Sequence, residues 1–286
     1  MSVAARRGAA TPYLLLLPGL MWLGLFFAVP LVTLVSTSLY DPNGSLREGY
    51  RMTWHFATYG DALQAYWPQF RRSFGYAGTA TVLALVIGYP LAYTIAFKAG
   101  RWKNVLLVLV VAPFFTSFLV RTLAWTTILA DDGFVVQTLQ AIGLMDPTGR
   151  LLATPVAVIA GITYNFLPFT TLPLYASLEK IDHRMIEAAQ DLYCSGAQAF
   201  RRVTFPLSLP GVVAGTLLTF IPAAGDFINA ALLGTPSTYM IGNVIESQFL
   251  QVTDYPTASA LSVMLMATIV ALVVVYVRKA GTEDLL

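Results

Sequence analysis

Six runs of this chain are apolar for about twenty residues or more, and that single feature removes most folds open to a polypeptide of this length. They are 13–39, 73–97, 105–129, 153–178, 207–233 and 258–277. Each is long enough as a helix, at about 1.5 Å per residue, to cross the roughly 30 Å hydrocarbon core of a bilayer. Composition points the same way: 57% of the 286 residues are hydrophobic and 11% are charged, less than half the charge of an ordinary soluble domain. Inside lipid the backbone must satisfy its own hydrogen bonds, and helices do so within one segment. The fold class expected is therefore an all-α integral membrane protein of about six transmembrane helices.

Charge orients the runs. With the N-terminus inside, the cytoplasmic segments hold Arg6, Arg7, Lys98, Arg101, Lys103, Lys180, Arg184, Arg201, Arg202, Arg278 and Lys279, whereas the outer segments hold Arg47, Arg51, Arg71, Arg72 and Arg150. Eleven against five favours both termini in the cytoplasm. The first run follows Arg6 and Arg7 as a secretory signal would, but it is too long for one and lacks a clean small-residue cleavage site. It is expected to be a retained helix. An external connection, 40–72, carries Trp54, Phe56, Tyr59, Tyr66 and Trp67, suited to a headgroup boundary.

One stretch does not fit a span. From Arg184 to Pro206, Met185, Ile186, Ala189, Leu192 and Tyr193 recur at spacings of three and four, which predicts a helix with one apolar face. The flanking Lys180, Arg184, Arg201 and Arg202 mark a cytoplasmic platform shaped to be held by a partner. Enzyme chemistry is missing: there is no GxxxxGK[ST], HExxH or GxSxG, the histidines His55 and His183 fall in opposite extramembrane segments, and Cys194 is the lone cysteine. No catalytic residue, metal ligand or nucleic-acid site is expected.

The same stretch resembles the EAA loop of permease subunits in type I ABC importers. Glu187, Ala188 and Ala189 fit its opening, and Phe200, Val203 and Pro206 fall at its later offsets. The similarity continues in APFFTSFLVRTLAW (112–125), YNFLPFTTLPLYASLEKID (164–182), GTLLTFIPAAGDFINAALLG (215–234) and IGNVIESQF (241–249), which look like the first permease of the polyamine (spermidine/putrescine) branch. One position departs: Tyr193 stands where the motif has glycine, with Gly196 three residues later, so the turn between two short helices is expected to shift. The resemblance implies an N-terminal helix and external loop over 1–72, a transport core over 73–277 and a cytoplasmic tail over 278–286. It implies a second permease, two ATPase subunits that bind ATP and magnesium, an external substrate-binding protein, and a place in a bacterial inner membrane. It assigns the ATPase coupling to Glu187, Ala188, Ala189, Tyr193 and Gly196, with Glu187 making the main polar contact.

Charges within spans mark function or pairing, since each is costly at membrane depth. Asp226, after Pro222 and Gly225, matches by resemblance an acidic place that could attract a cationic amine; the alternative is an ion pair, with Arg121 the candidate partner. Arg121 could equally reach the headgroups as an anchor. Trp125, Tyr164, Asn165 and Phe166 could line a path that holds cations on aromatic faces, and Glu246, with Asp131, Asp132 and Asp254, could gather cations at its mouth. Helix packing or solvated loops would explain these residues as well. Other cargo, an ion-coupled secondary transporter and a structural membrane subunit remain the rival readings.

Overall fold

The computed structural model describes residues 15–44 and 49–279. Tyr13, Arg6, Arg7 and Arg47, and the tail beyond Lys279, lie outside the described residues. The main helices are α1 (Leu15–Thr37), α2 (Ala57–Phe97), α3 (Lys103–Val111), α4 (Phe118–Ile128), α5 (Phe134–Ala141), α6 (Pro155–Glu179), α7 (His183–Asp191), α8 (Gly196–Leu207), α9 (Leu209–Ala224), α10 (Ile228–Leu233), α11 (Ile241–Ser247) and α12 (Tyr255–Lys279). Among the described residues, β structure is confined to the bridge between Tyr40 and Met52 and its immediate surroundings. Four helices, α1, α2, α6 and α12, are long and apolar enough to cross a membrane, and the number is six when each of two bent pairs is counted as one span.

The bent pairs are where apolar length alone misleads. The run 105–129 is two helices meeting at 96°, because after Pro113 the chain turns extended at Thr116 and Ser117. The run 207–233 begins after a 61° bend between α8 and α9, and its helix stops at Ala224 before restarting at Ile228. The second run, by contrast, is the end of a longer helix. Helix α2 starts at Ala57, so 57–72 of the expected external connection is helical, with non-helical dihedrals at Tyr66 just before Pro68.

The chain divides into two compact units. The first combines Met1–Ala65 with Ile245–Met266. In it the Tyr50 hydroxyl donates to the Thr253 carbonyl at 2.6 Å, Tyr50 meets the edge of Tyr255, and Tyr59 shares a 2.6 Å hydrogen bond with Ser38. Helix α1 exposes most of its large apolar side chains, as a lipid-facing helix should.

The second unit combines Tyr66–Val244 with Ala267–Leu286 and is organised on α6. Ala157, Val158, Ile162, Leu174 and Leu178 of α6 are fully buried. Helix α9 lies directly against it because Gly211 and Gly215, one turn apart, present no side chain: a Cβ at Gly211 would stand 2.5 Å from Ser177 Cβ and 2.8 Å from the Pro173 carbonyl. Small residues four apart allow this backbone approach in membranes. Thr170 and Thr219 share a 2.6 Å hydrogen bond across the same contact.

Candidate functional site

Two places in the second unit carry the expected functional residues. The first is the loop after α6. Asp182 caps α7 by accepting from the Arg184 amide at 2.9 Å, and Ser195 with Gln198 forms a reciprocal cap at the start of α8. Between them the chain closes in a Schellman turn: the Tyr193 amide donates to the Gln190 carbonyl and the Cys194 amide to the Ala189 carbonyl. Tyr193 occupies the left-handed position, φ +63°. The turn has therefore not moved to Gly196, which is the first residue of the next helix and has open space around it. A tyrosine simply takes the conformation that glycine takes more cheaply.

The inner side of this loop is fastened to the helices. Ile186 packs with Leu174, Leu178 and Ile181, His183 meets the Phe97 ring edge-on, and Phe200 contacts Tyr89, Tyr93 and Phe205. Its outer side is bare: Glu187 and Ala188 are exposed, Leu192 is 78% and Tyr193 98% exposed, and Met185 is half-exposed. The single apolar face predicted from spacing is thus split, with Ile186 turned in and Met185, Leu192 and Tyr193 turned out.

The second place is the interruption between α9 and α10. Gly225, Asp226 and Phe227 break the helix, and side chains bond part of the backbone that the break frees. The Asp226 carboxylate accepts from the Asn229 amide and from Asn229 Nδ2, both at 2.8 Å, so it caps α10. Asn243 Nδ2 donates to the Phe227 carbonyl at 2.7 Å, and Gly242 lets its backbone sit against Gly225. From Asp226 a buried polar chain runs on: Asn165 Nδ2 donates to Asn229 Oδ1 at 3.0 Å and to Thr122 Oγ1 at 3.1 Å. Along this chain each side-chain amide donates toward the next acceptor, and the last donates to Asp226.

Arg121 is not part of that chain. Among the described residues no ion pair joins it to Asp226; its guanidinium lies over the rings of Phe114 and Phe118 instead. Trp125 and Tyr164 meet edge to face at 5.3 Å, while Phe166 is buried among Phe118 and Phe169. Asn165 and Phe166 are packed inside rather than lining open space. Glu246 belongs to α11 in the first unit and is half-buried, and Asp131 pairs with Arg150 on the surface. Sequence reasoning missed Asn229 and Thr122, which are short polar residues inside apolar runs, Asn243, which lies between two runs, and the Gly211/Gly215 pair. Both kinds of signal were present in the spacing.

A family model described as the inner membrane component of binding-protein-dependent transport systems matches residues 84–280. The spermidine/putrescine transport system permease proteins PotB of Haemophilus influenzae and Escherichia coli are each 36% identical over 258 residues, spanning 90% of this chain and 90% and 93% of theirs. The E. coli inner membrane ABC transporter permease protein YdcU is 31% identical and spans 96% of this chain and 91% of its own. Among solved structures, the bacterial alginate ABC transporter in complex with its alginate pentasaccharide-bound periplasmic protein aligns over 98% of both chains with a TM-score of 0.73 at 20% identity. The MetNI methionine transporter aligns over 74% of this chain and 94% of its own, at 0.55 and 19%. The fold and the match together define the class: a multi-pass membrane protein of the type I importer permease architecture. The chain belongs to the family of inner-membrane components of binding-protein-dependent transport systems and is an ABC importer permease, a transport subunit.

Proposed function

We propose that this chain forms one half of the translocation pathway of an ATP-driven importer for polyamines of the spermidine/putrescine class. The observation that carries the cargo is its 36% identity, along 90% of its length, to permeases that bear that name. A second permease completes the pathway, two ATPase subunits hold ATP and magnesium, and an external binding protein delivers the solute. The transport core is 73–277, both termini face the cytoplasm, and the membrane is a bacterial inner membrane.

The geometry supports a division of labour. Glu187 presents a carboxylate to a donor in an ATPase cleft, Ala188 and Ala189 let that surface approach closely, and Tyr193 and Gly196 bound the docking turn. Closure of the ATPases pulls on this loop, whose inner face is tied to α2 and α6 through Phe97, Tyr93 and Ile186. At the other end of α9, the Asp226 carboxyl group accepts from Asn229 and is paired with no cation among the described residues. An ammonium group passing the interruption supplies the missing counter-charge. Trp125 and Tyr164 offer ring faces along the same route, and Glu246 adds to the negative potential that draws cations in.

The decisive experiment reconstitutes the chain with its second permease, ATPases and binding protein in liposomes and follows radiolabelled spermidine and putrescine. Saturable, ATP-dependent uptake is expected. Uptake of some other solute with neither polyamine accepted would overturn the cargo and leave the family untouched.

A further inference from the structure

Helix α4 begins in the middle of a span, and its start is not capped. Ser117 makes no side-chain bond there, and the amides of Phe118, Leu119 and Val120 have no acceptor among the described residues. One turn in lies Arg121, which is only 9% exposed and whose Nε and Nη1 are both without a partner. Its Cζ is 5.4 Å from the centre of the Phe114 ring and 5.8 Å from that of Phe118. Those two rings stand on either side of the break, so the guanidinium is folded back toward the free amides, the direction in which helical side chains lean.

Depth makes the arrangement costly. The neighbouring Thr122 is bonded to Asn165, the eleventh residue of α6 and hence about 15 Å from the start of that helix. A lipid phosphate is distant from that level. An uncompensated cation there is strongly disfavoured, and Asp226 does not compensate it, since no ion pair joins the two among the described residues. Helix amides, a helix dipole and an unpaired guanidinium at the same break in the chain all call for the same thing, a small oxyanion.

We propose that the start of α4, between Phe114 and Phe118, is a carboxylate site in which Arg121 and the free amides hold the anion. This goes beyond the cargo reading and does not depend on it. The carboxylate comes either from an acidic side chain of a membrane subunit packed against this chain or from a solute that bears one. The aromatic rings hold the guanidinium by its face and leave its edge for the anion.

The test uses the full complex in nanodiscs, with Arg121→Met and Arg121→Lys. Thermal midpoint and co-purification of the membrane subunits are measured in sodium chloride, in putrescine dihydrochloride and in sodium 4-aminobutyrate, a four-carbon compound in which a carboxylate takes the place of one terminal aminomethyl group of putrescine. If a subunit supplies the anion, Arg121→Met lowers the yield of the complex by about tenfold or more, Arg121→Lys restores most of it, and 4-aminobutyrate has no effect. If a solute supplies it, the wild-type midpoint rises in 4-aminobutyrate alone and Arg121→Met abolishes that rise at normal yield. An Arg121→Met complex at least as stable as wild type, with no carboxylate response in the wild type, overturns the site. Failure of the cargo reading would appear in uptake instead, leaving these readouts unchanged.

Discussion

Tyr193 holds a left-handed backbone that costs a residue with a Cβ about 1–2 kcal/mol. Its ring is almost wholly exposed, so nothing within the chain offsets that cost. Tyr193→Gly should therefore raise the thermal midpoint of the isolated chain, and an unchanged or lower midpoint would show that the ring is held by contacts of its own. Asp226 poses the opposite case. In Asp226→Asn one of the two bonds to Asn229 would face donor to donor, leaving a buried amide unsatisfied at about 1–3 kcal/mol. Polyamine uptake should fall, and neutralising Arg121 as well should not restore stability, because the two side chains are not paired. Recovery in the double variant, read by complex yield, would mean that they pair in another state. The sequence made both residues conspicuous, one as a departure from a motif and the other as a charge in a span. It could not show which neighbours meet them, since the amides around Asp226 come from a different helix and a different turn.

At the level of helices, Gly211 and Gly215 decide how closely α9 meets α6. Gly211→Val should push the two apart and lower the midpoint of the complex, at a cost of about 1–3 kcal/mol from overpacking; an unaltered midpoint would show that the helices can yield. The number of spans and the existence of the amphipathic loop were legible from hydropathy and periodicity. The interruptions were not. Helices run on through Pro90, Pro168 and Pro173, whereas the breaks fall at Thr116–Ser117 and at Gly225–Phe227, close to Pro113 and Pro222. Proline marks a backbone group that needs help, and only the surrounding side chains determine whether the helix survives. At 225–227 the help comes from Asp226 and Asn243, so a break is stable there.

For the molecule as a whole, orientation and coupling are the testable properties. Cys194, partly exposed in the docking turn, should resist a membrane-impermeant maleimide in intact cells and react in inverted vesicles; efficient labelling from outside would reverse the topology. Glu187→Ala should leave solute capture by the binding protein intact while lowering uptake and solute-stimulated ATP hydrolysis severalfold, about what loss of one charged contact produces. Full uptake at equal expression would remove Glu187 from that role. The glycine-lined contact has a mechanical meaning here. Helices α6 and α9 touch along their backbones and are stiff between their ends, so they behave as a shaft and not as a spring. On one side α9 is pinned at Ser208, whose hydroxyl shares a hydrogen bond with Tyr89. On the other it ends in three residues that are not helical. On the proposed coupling, a twist delivered to the turn at Tyr193 would be carried along the shaft and would emerge where the shaft ends, beside the carboxylate of Asp226.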